Sequence, residues 1–276
     1  MINLDDVLNK KERKMKKSIA PPRGGTKPKI LLFDIETAPT LGYVWGLWDQ
    51  NIGLNMIHSN WYVLCWAAKW LDEKKVMTSA LPDFPLYKRE KENDREVMKA
   101  LWKLLDEADI VIGQNGDAFD IKKSNARFIQ HGMNPPTPYK TVDTLKVAKK
   151  YFKFDSNKLD HLGEVLGLGK KMQTGGFDLW KGCLSGDPKS WKKMVDYNVQ
   201  DVELLEKVYL KMRPWMVNHP NFNVYQGSQW NCPNCGSPNC QKRGYTHTRV
   251  SVSRRWQCKD CGAWSQGPLS GNGVVR

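Results

Sequence analysis

The sequence predicts an α/β protein, a mixed sheet flanked by helices, followed by a small metal-dependent domain. Strand-like runs come first, and helical periodicity then alternates with short apolar runs, as in a mixed sheet with helices against its faces. Five of the seven cysteines lie between residues 232 and 261, as expected of a metal site in a reducing compartment. The chain has 276 residues, enough for one sizeable domain and one small domain.

The first predicted strand is the apolar run Lys29–Phe33, which leads into Asp34, Ile35, Glu36 and Thr37. Alternate residues of a strand point to the same face, so Asp34 and Glu36 are expected to project together. Burying two neighbouring carboxylates is costly unless a cation neutralises them, and carboxylate oxygens suit Mg²⁺ or Mn²⁺. The pattern indicates a divalent-metal site, with an ordinary strand ending in exposed acids as the alternative.

Two further strands are predicted at Trp61–Leu71 and Lys75–Leu81, which should form an antiparallel meander with the first. The segment between the first two strands, residues 38–60, is too irregular to be one element. It contains three aromatic residues that stand out: Tyr43, Trp45 and Trp48. These side chains are expected either to stack nucleobases or to fold back on a hydrophobic cluster of their own.

The helices are predicted from apolar periodicity and capping residues. One helix runs to Ala108, with Asn93 as its cap and Glu96 completing a capping box. The other predicted elements are the strand 109–113, the helix 121–131, the strand 139–142, the helix 144–151 capped by Asp143, the helix 158–166 and the helix 188–212. Residues 170–187 are expected to form an irregular surface segment.

More candidate site residues follow the later elements. Tyr197 and Asp201 are four residues apart on the last helix, so they share one face with Cβ atoms about 5–6 Å apart. A plain helix surface is the alternative for this pair. Asp120 follows the strand 109–113, and two residues of the same turn precede it closely, Asn115 and Phe119.

Taken in order, these residues resemble the DEDD superfamily of 3′–5′ exonucleases, which has the ribonuclease-H-like fold, and within it the tyrosine subgroup. Phe33–Thr37 is similar to the first family motif, Asn115-x-x-x-Phe119-Asp120 to the second, and Tyr197-x-x-x-Asp201 to the third. The resemblance spans roughly residues 29–212. The histidine subgroup has a His five residues before the last Asp, where this chain has Asp196.

The resemblance implies four acidic metal ligands and one tyrosine at the catalytic site: Asp34, Glu36, Asp120, Asp201 and Tyr197. One Mg²⁺ or Mn²⁺ ion that activates water would be held by Asp34, Glu36 and Asp201, and a second beside the leaving oxygen by Asp34 and Asp120. Tyr197 would orient the water. Two residues of the second motif would position the scissile end: Asn115 and Phe119.

The cysteines form two Cys-x2-Cys pairs, Cys232 with Cys235 and Cys258 with Cys261, separated by 22 residues. Four thiolates so spaced bind Zn²⁺ tetrahedrally, and the segment resembles a zinc ribbon. A tail of about 48 residues needs such a structural metal, because core burial alone does not hold it together. Cys240 has no partner at this spacing and is left out of the predicted set.

The net charge of +14 is concentrated at the two ends of the chain. Residues 1–29 contain nine Lys and Arg against three acids, and residues 229–276 contain seven against one. This distribution predicts a polyanionic partner held by the ends. Within the tail, basic and aromatic residues alternate, and three are candidate nucleic-acid contacts: Arg254, Arg255 and Trp256.

We expect four segments: a basic flexible arm, an exonuclease domain, a linker and a zinc ribbon, at residues 1–28, 29–212, 213–228 and 229–276. The sequence shows no signal peptide and no apolar run of about 18 residues, so a cytoplasmic protein without membrane contact is expected. The expected function is metal-dependent 3′–5′ removal of nucleotides from single-stranded or frayed DNA ends. An exonuclease domain followed by such a ribbon also resembles certain phage-encoded exonucleases that serve a replication polymerase. An exoribonuclease and a non-catalytic scaffold that recruits nucleic acid or a polymerase are the alternatives.

Overall fold

The computed structural model describes residues 26–226, 231–250 and 252–267. The predicted basic arm, up to residue 25, lies outside the described residues, as do parts of the predicted linker and ribbon. The chain divides into two compact units, Lys29–Asn218 and a second that contains the residues from His219 onward. No helix of the described residues is long and apolar enough to cross a membrane.

The first unit is built on a five-stranded mixed sheet. The strands of this unit are, in chain order, β1 (Ile30–Thr37), β2 (Leu41–Gly42), β3 (Ile57–Ser59), β4 (Val63–Trp70), β5 (Val76–Ala80), β6 (Ile110–Gly113) and β7 (Lys140–Asp143). The order across the main sheet is β5-β4-β1-β6-β7, with β1 antiparallel to β4 and parallel to β6. The predicted antiparallel meander of the first strands is confirmed, and β2 and β3 form a separate two-stranded sheet.

Six α-helices complete the first unit among its described residues. They are α1 (Arg95–Glu107), α2 (Asp120–Gln130), α3 (Thr144–Tyr151), α4 (Leu159–Val165), α5 (Asp178–Ser185) and α6 (Pro188–Met212). The bounds of α6 are those predicted, because Asp187 caps it through the N–H groups of Lys189 and Ser190 and Pro188 suits the first helical position. Asp143 caps α3 in the same way, as predicted.

The alternation of β1 gives the central sheet two different faces. Ile35 pairs across the ladder with Trp66, whose indole N–H donates to the carbonyl of Val97 at 2.8 Å. That face therefore packs on α1, where the side chains of Val97 and Leu101 are fully buried. The preceding and following residues of β1 point the other way, toward α6.

The face toward α6 is tied to that helix at two places on β4. The thiol of Cys65, which lies opposite Glu36, is 4.0 Å from Oδ1 of Asn198. Further along the strand, the Lys69 ammonium forms an ion pair with Glu206. These contacts fix the position of α6 across the acidic end of β1.

Two local predictions are wrong. Asn93 does not cap a helix that starts next to it; the N-cap is Asp94, and the Asn93 amide oxygen accepts the N–H of Arg95 at 3.1 Å. The Asp94 carboxylate instead accepts the N–H of Val63 and binds the Arg127 guanidinium and the His131 ring. Residues 170–187 are not irregular throughout, because they contain α5.

The second unit is small and rich in strands. Its described elements are a short helix α7 (Phe222–Gln226) and the strands β8 (Cys240–His247), β9 (Val252–Cys258) and β10 (Trp264–Gly267). The strands form one antiparallel sheet in the order β10-β9-β8. One of its buried clusters consists of Cys232, Cys258 and Ala263. Cysteines therefore make up most of that cluster.

Candidate active site and cysteine cluster

Three predicted acidic ligands meet between β1 and α6. Asp34 and Glu36 project from the same face of β1, and Asp201 projects from α6, which packs on that face. One carboxylate oxygen of each residue lies within 4.8 Å of the others. The structure thus brings Asp34, Glu36 and Asp201 together as one group.

Burial and mutual repulsion raise the pKa values of these acids. Burial, followed by the charges of Asp120, Glu36 and Asp201, raises the pKa of Asp34 well above its usual range. Burial and the charge of Asp201 raise the pKa of Glu36 to about 8. Burial also raises the pKa of Asp201, although the Lys171 ammonium opposes that shift. A group of carboxyls with raised pKa values needs a cation before all of them ionise.

The fourth predicted ligand, Asp120, lies beside this group. It is the first residue of α2, is 3% exposed, and accepts the N–H of Ile35 through Oδ1 at 3.1 Å. Burial raises the pKa of Asp120 to about 7, although the Ile35 N–H lowers it. Among the neighbouring charges that raise the pKa of Asp34, the charge of Asp120 has the largest effect. Asp120 therefore lies beside the group of Asp34, Glu36 and Asp201 but is not part of it.

Hydrogen bonds of backbone N–H groups hold the turn before Asp120. Asn115 has a left-handed conformation (φ 62°), and its N–H donates to Oδ1 of Asp143 at 2.9 Å. Its carbonyl accepts the N–H of Phe119 at 3.0 Å, which closes the turn before α2. Asp117, another acid of this turn, forms an ion pair with Lys146 and is not in the acidic group.

Two polar residues of the site were not predicted. Asn198 is fully buried on α6, and its Nδ2 donates to Oδ2 of Asp34 at 2.7 Å. Lys171, in the segment between α4 and α5, donates from Nζ to the Tyr197 hydroxyl at 3.1 Å and forms an ion pair with Asp201. Burial alone lowers the pKa of Lys171, but the charge of Asp201 and the hydrogen bond to it raise that pKa.

Tyr197 lies one helical turn before Asp201, as the four-residue spacing predicts. Burial and the charge of Asp201 raise the pKa of Tyr197. Its phenol therefore stays protonated at neutral pH, which suits a group that positions water and not a general base.

These donors fit a divalent cation. Oδ1 of Asp201 is buried and has no hydrogen-bond partner among the residues that the structure describes, and a buried carboxylate oxygen without a partner is costly. Hard oxygen donors in a compact group are the ligands of Mg²⁺ or Mn²⁺. Asp34, Glu36 and Asp201 would hold one such ion.

A cavity of about 490 Å³ opens beside Asp34 and Lys171. Its other lining residues come from the turn before α2 and from the α3–α4 region: Gln114, Asn115, Leu145, Lys149, Asn157, Lys158, Leu159 and Asp160. The volume lies in the range of small-ligand pockets. Three lysines and one predicted positioning residue, Asn115, therefore line a cavity that reaches a predicted metal ligand.

The four predicted zinc ligands also form one group. The sulfur atoms of Cys232 and Cys261 are 3.6 Å apart, those of Cys235 and Cys258 are 3.7 Å apart, and all four lie within 4.8 Å of one another. Zinc–sulfur bonds of about 2.3 Å at tetrahedral angles would separate the sulfurs by about 3.8 Å. The residues therefore fit a tetrahedral zinc ion.

The local backbone explains why these cysteines converge. Each Cys-x2-Cys pair is followed by a glycine in the left-handed conformation, Gly236 (φ 73°) and Gly262 (φ 81°). The N–H of Gly236 donates to the carbonyl of Cys232 at 2.8 Å, and that of Gly262 to Cys258 at 3.0 Å. Thiol hydrogen bonds from Cys232 and Cys235 lower the pKa of Cys261 to about 4. The cluster is compatible with a zinc ribbon, and Cys240 is outside it.

The structure separates the predicted nucleic-acid contacts of the second unit. Arg254 and Trp256 are two residues apart on β9 and so share one face, while Arg255 points to the other. Arg254 lies 5.1 Å from the ring of Tyr245, and Arg255 lies 5.7 Å from that of Trp264. Both faces of this sheet therefore pair cations with aromatic rings.

The fold and the acidic group define a ribonuclease-H-like protein whose site suits divalent metals. The model of the RNase_H_2 family, in the RNase_H superfamily, matches residues 31–213. Because this match covers more than half of the 276 residues, the chain belongs to that family. The predicted ribonuclease-H-like fold is confirmed, and the membership supports a nuclease at a general level.

The other comparisons are distant. No curated protein matches the chain. Among solved structures, the chain is similar to the family B DNA polymerase of the hyperthermophilic archaeon Pyrobaculum calidifontis, with a TM-score of 0.49 and 16% identity over 82% of this chain. The match covers 32% of the polymerase, so this chain spans about a third of its length.

Proposed function

We propose that the protein is a metal-dependent 3′–5′ exonuclease that removes nucleotides from single-stranded or frayed DNA ends. The observation that supports this most is the group formed by Asp34, Glu36 and Asp201, with donor oxygens within 4.8 Å of one another. Asp120 and Tyr197 border that group, in the order of the tyrosine subgroup of DEDD exonucleases. The direction of cleavage rests on that resemblance.

In the proposed reaction, Asp34, Glu36 and Asp201 would hold one Mg²⁺ or Mn²⁺ ion, and Asp34 and Asp120 would hold a second. When bound, such ions would supply the positive charge that an in-line displacement at a phosphodiester needs. Tyr197, protonated, orients the attacking water by hydrogen bonding.

One hydrogen bond to the acids and one cavity beside them support this proposal. The amide of Asn198 donates to Asp34 and so holds the carboxylate shared by both metal positions. The cavity beside Asp34 is lined by Asn115, Lys149 and Lys158. It would receive the terminal nucleotide, with the two ammonium groups near its phosphates.

The second unit would hold the rest of the strand. It would fold around Zn²⁺, and its cation–aromatic pairs, which include Arg254, Arg255 and Trp256, would contact single-stranded DNA. A DNA polymerase is the protein partner that the resemblance to phage replication exonucleases suggests. A role in replication or proofreading follows from that analogy.

The test compares Asp34→Asn with Asp117→Asn on end-labelled DNA and RNA oligomers, with and without Mg²⁺. We expect Asp34→Asn to lower the rate at least about a hundredfold, as loss of a preorganised charge at a reaction centre does. Asp117→Asn is the matched control, because Asp117 is an acid within the second motif that pairs with Lys146 and is outside the acidic group.

The products decide between the proposed activities. Stepwise shortening of DNA from its 3′ end supports the proposal, whereas equal or faster shortening of RNA favours an exoribonuclease. Binding of either polymer without Mg²⁺-dependent cleavage by the wild-type protein favours a scaffold. Retention of most activity by Asp34→Asn would remove Asp34 from the set of ligands.

A further inference from the structure

The hairpin that follows β1 exposes large apolar side chains. We name residues 41–59, which include β2 and β3, the aromatic hairpin. Its four most exposed apolar residues are Trp45, Leu47, Trp48 and Leu54, at 97%, 88%, 84% and 88%. The alternative in which this segment folds back on a hydrophobic cluster of its own is therefore wrong. Apolar surface of this kind in a soluble domain usually marks a binding site.

Hydrogen bonds order the base of the aromatic hairpin. The N–H of Tyr43 donates to the carbonyl of Met56 at 2.9 Å, next to the β2–β3 ladder. The Tyr43 hydroxyl lies 3.2 Å from Nδ1 of His58, and the hydroxyl of Ser59 donates to Glu92 at 2.9 Å. The two Tyr43 contacts close the base of the hairpin, and the bond from Ser59 to Glu92 attaches it to the rest of the unit.

Its tip is held by a turn. Asp49 has a left-handed conformation (φ 52°), and the Gln50 side-chain amide donates to the carbonyl of Trp48 at 2.5 Å. This turn fixes the backbone that presents the indole of Trp48 to solvent.

The hairpin begins and ends beside residues of the proposed site. It leaves the acidic end of β1, where Ala38 donates to the carbonyl of Tyr62 at 2.9 Å. Just after the hairpin, the ring of Trp61 lies 3.7 Å from the Lys123 ammonium. The same ammonium lies 5.2 Å from the ring of Phe119, the neighbour of Asp120. Aromatic surface therefore extends from the base of the hairpin to a proposed metal ligand.

The charge of the hairpin restricts what it can bind. Residues 41–59 contain no Lys or Arg and one acid, Asp49. They offer no cationic partner for phosphates, so their exposed aromatic surface would contact a nucleic acid mainly through its bases. Every base has a π-face that stacks on an aromatic ring, for about 1–3 kcal/mol per base.

We propose that Trp45 and Trp48 stack on unpaired bases of the strand whose 3′ end enters the carboxylate site. This role rests on the proposed function, because the nuclease site supplies the reason for a nucleic acid to lie next to the hairpin. Unpaired bases are required, since a duplex keeps its base faces covered by stacking. The hairpin would thus select single-stranded ends by base contacts independent of salt.

The test measures binding of the full-length Trp45→Ala/Trp48→Ala variant by fluorescence anisotropy, in a buffer without Mg²⁺, Mn²⁺ or chelator, so that nothing is cleaved and the cysteine site keeps its metal. One probe is a single-stranded oligothymidylate, and the other has the same length and phosphates but abasic sugars. We expect the variant to bind the first probe about tenfold to a hundredfold more weakly than wild type, and the second equally well. The dependence of affinity on salt should not change.

Trp215→Ala is the matched control, because Trp215 is an exposed tryptophan of the same unit, at 62%, outside the hairpin. It should bind both probes as wild type does, and the midpoint of thermal unfolding should confirm that all variants are folded. Equal losses on both probes, or none on either, would overturn the proposal, and the second result would point to a protein partner. If base-dependent binding is found but wild type cleaves nothing with Mg²⁺, the proposed function fails and the stacking surface stands.

Discussion

Lys171 is a counter-ion that the protein itself supplies to its acidic site. Lys171→Gln should lower the free energy of unfolding of the metal-free protein by about 1–3 kcal/mol, because the buried carboxylate of Asp201 loses the ammonium group that pairs with it. The variant should then gain more thermal stability than wild type when Mg²⁺ is added. Lys170→Gln is the control, because the neighbouring Lys170 pairs with Glu164 and is 69% exposed. The same response to Mg²⁺ in both variants would contradict this role of Lys171.

Glu36 should make the stability of the metal-free protein depend on pH. Burial raises its pKa in the folded protein to about 8, against an ordinary value of about 4.3. Between these values the folded state binds more protons than the unfolded state, so stability falls as the pH rises. Thermal unfolding from about pH 5 to pH 9, in a buffer without Mg²⁺, Mn²⁺ or chelator, should show this slope. Glu36→Gln should flatten it, and an unchanged slope would mean that Glu36 ionises freely in the fold.

The motif residues of the site were predictable, but their polar neighbours were not. Asp34, Glu36 and Asp201 follow from strand alternation and from the order of the motifs. Asn198 could have been found, since it lies on the buried stripe of α6, where a polar residue needs a partner. Lys171 gives no such signal, because it lies in a segment without helical or strand periodicity. Its position depends on how that segment packs against α6.

At the scale of elements, Asp94 joins three pieces of the first unit. Its carboxylate accepts the N–H of Val63 at the start of β4 and binds Arg127 and His131 around the end of α2. Asp94→Ala should lower the free energy of unfolding by about 3–5 kcal/mol, because the half-buried Arg127 and the buried N–H of Val63 lose their partner. Urea unfolding measures this. Glu96→Ala, an exposed acid of α1, should change it by less than about 0.5 kcal/mol.

The helices likewise differ in whether the local sequence or the tertiary packing determines them. Helix α6 was predicted with its bounds, because its cap, its proline and its apolar stripe are all local. Helix α5 was missed because it is short and contains Gly182, which normally disfavours a helix. A Cβ at Gly182 would lie 2.0 Å from Oγ of Ser190. The glycine therefore permits α5 to pack closely on α6, a reason that only the folded structure supplies.

At the scale of the whole molecule, charge and chemistry belong to different parts of the chain. Residues 30–228 hold 27 Lys and Arg against 25 acids, so the part with the acidic site attracts DNA weakly at long range. Deleting residues 229–276 should weaken binding to long single strands and reduce its salt dependence, by about 0.7 in the slope per lost phosphate contact. Cleavage of very short oligomers should stay similar. Equal affinity and slope would instead indicate a protein-binding role for the tail.

Replacing Cys232 and Cys235 by Ser is the control for that deletion, because it keeps every charge of the tail. The variant should behave like the deletion, since the sheet that presents the cation–aromatic pairs would lose its metal. If binding survives this change, charge alone and not a folded surface holds the strand.

The two predicted metal sites differ in what surrounds them, and this difference would set how each part of the chain depends on metal supply. The first unit has a large apolar core, and Lys171 balances part of its acidic charge. In the second unit, a buried cluster is made mainly of the cysteines themselves. In a metal-poor cell, the first unit of a newly synthesised chain would thus fold early. The second unit would fold only once zinc has bound.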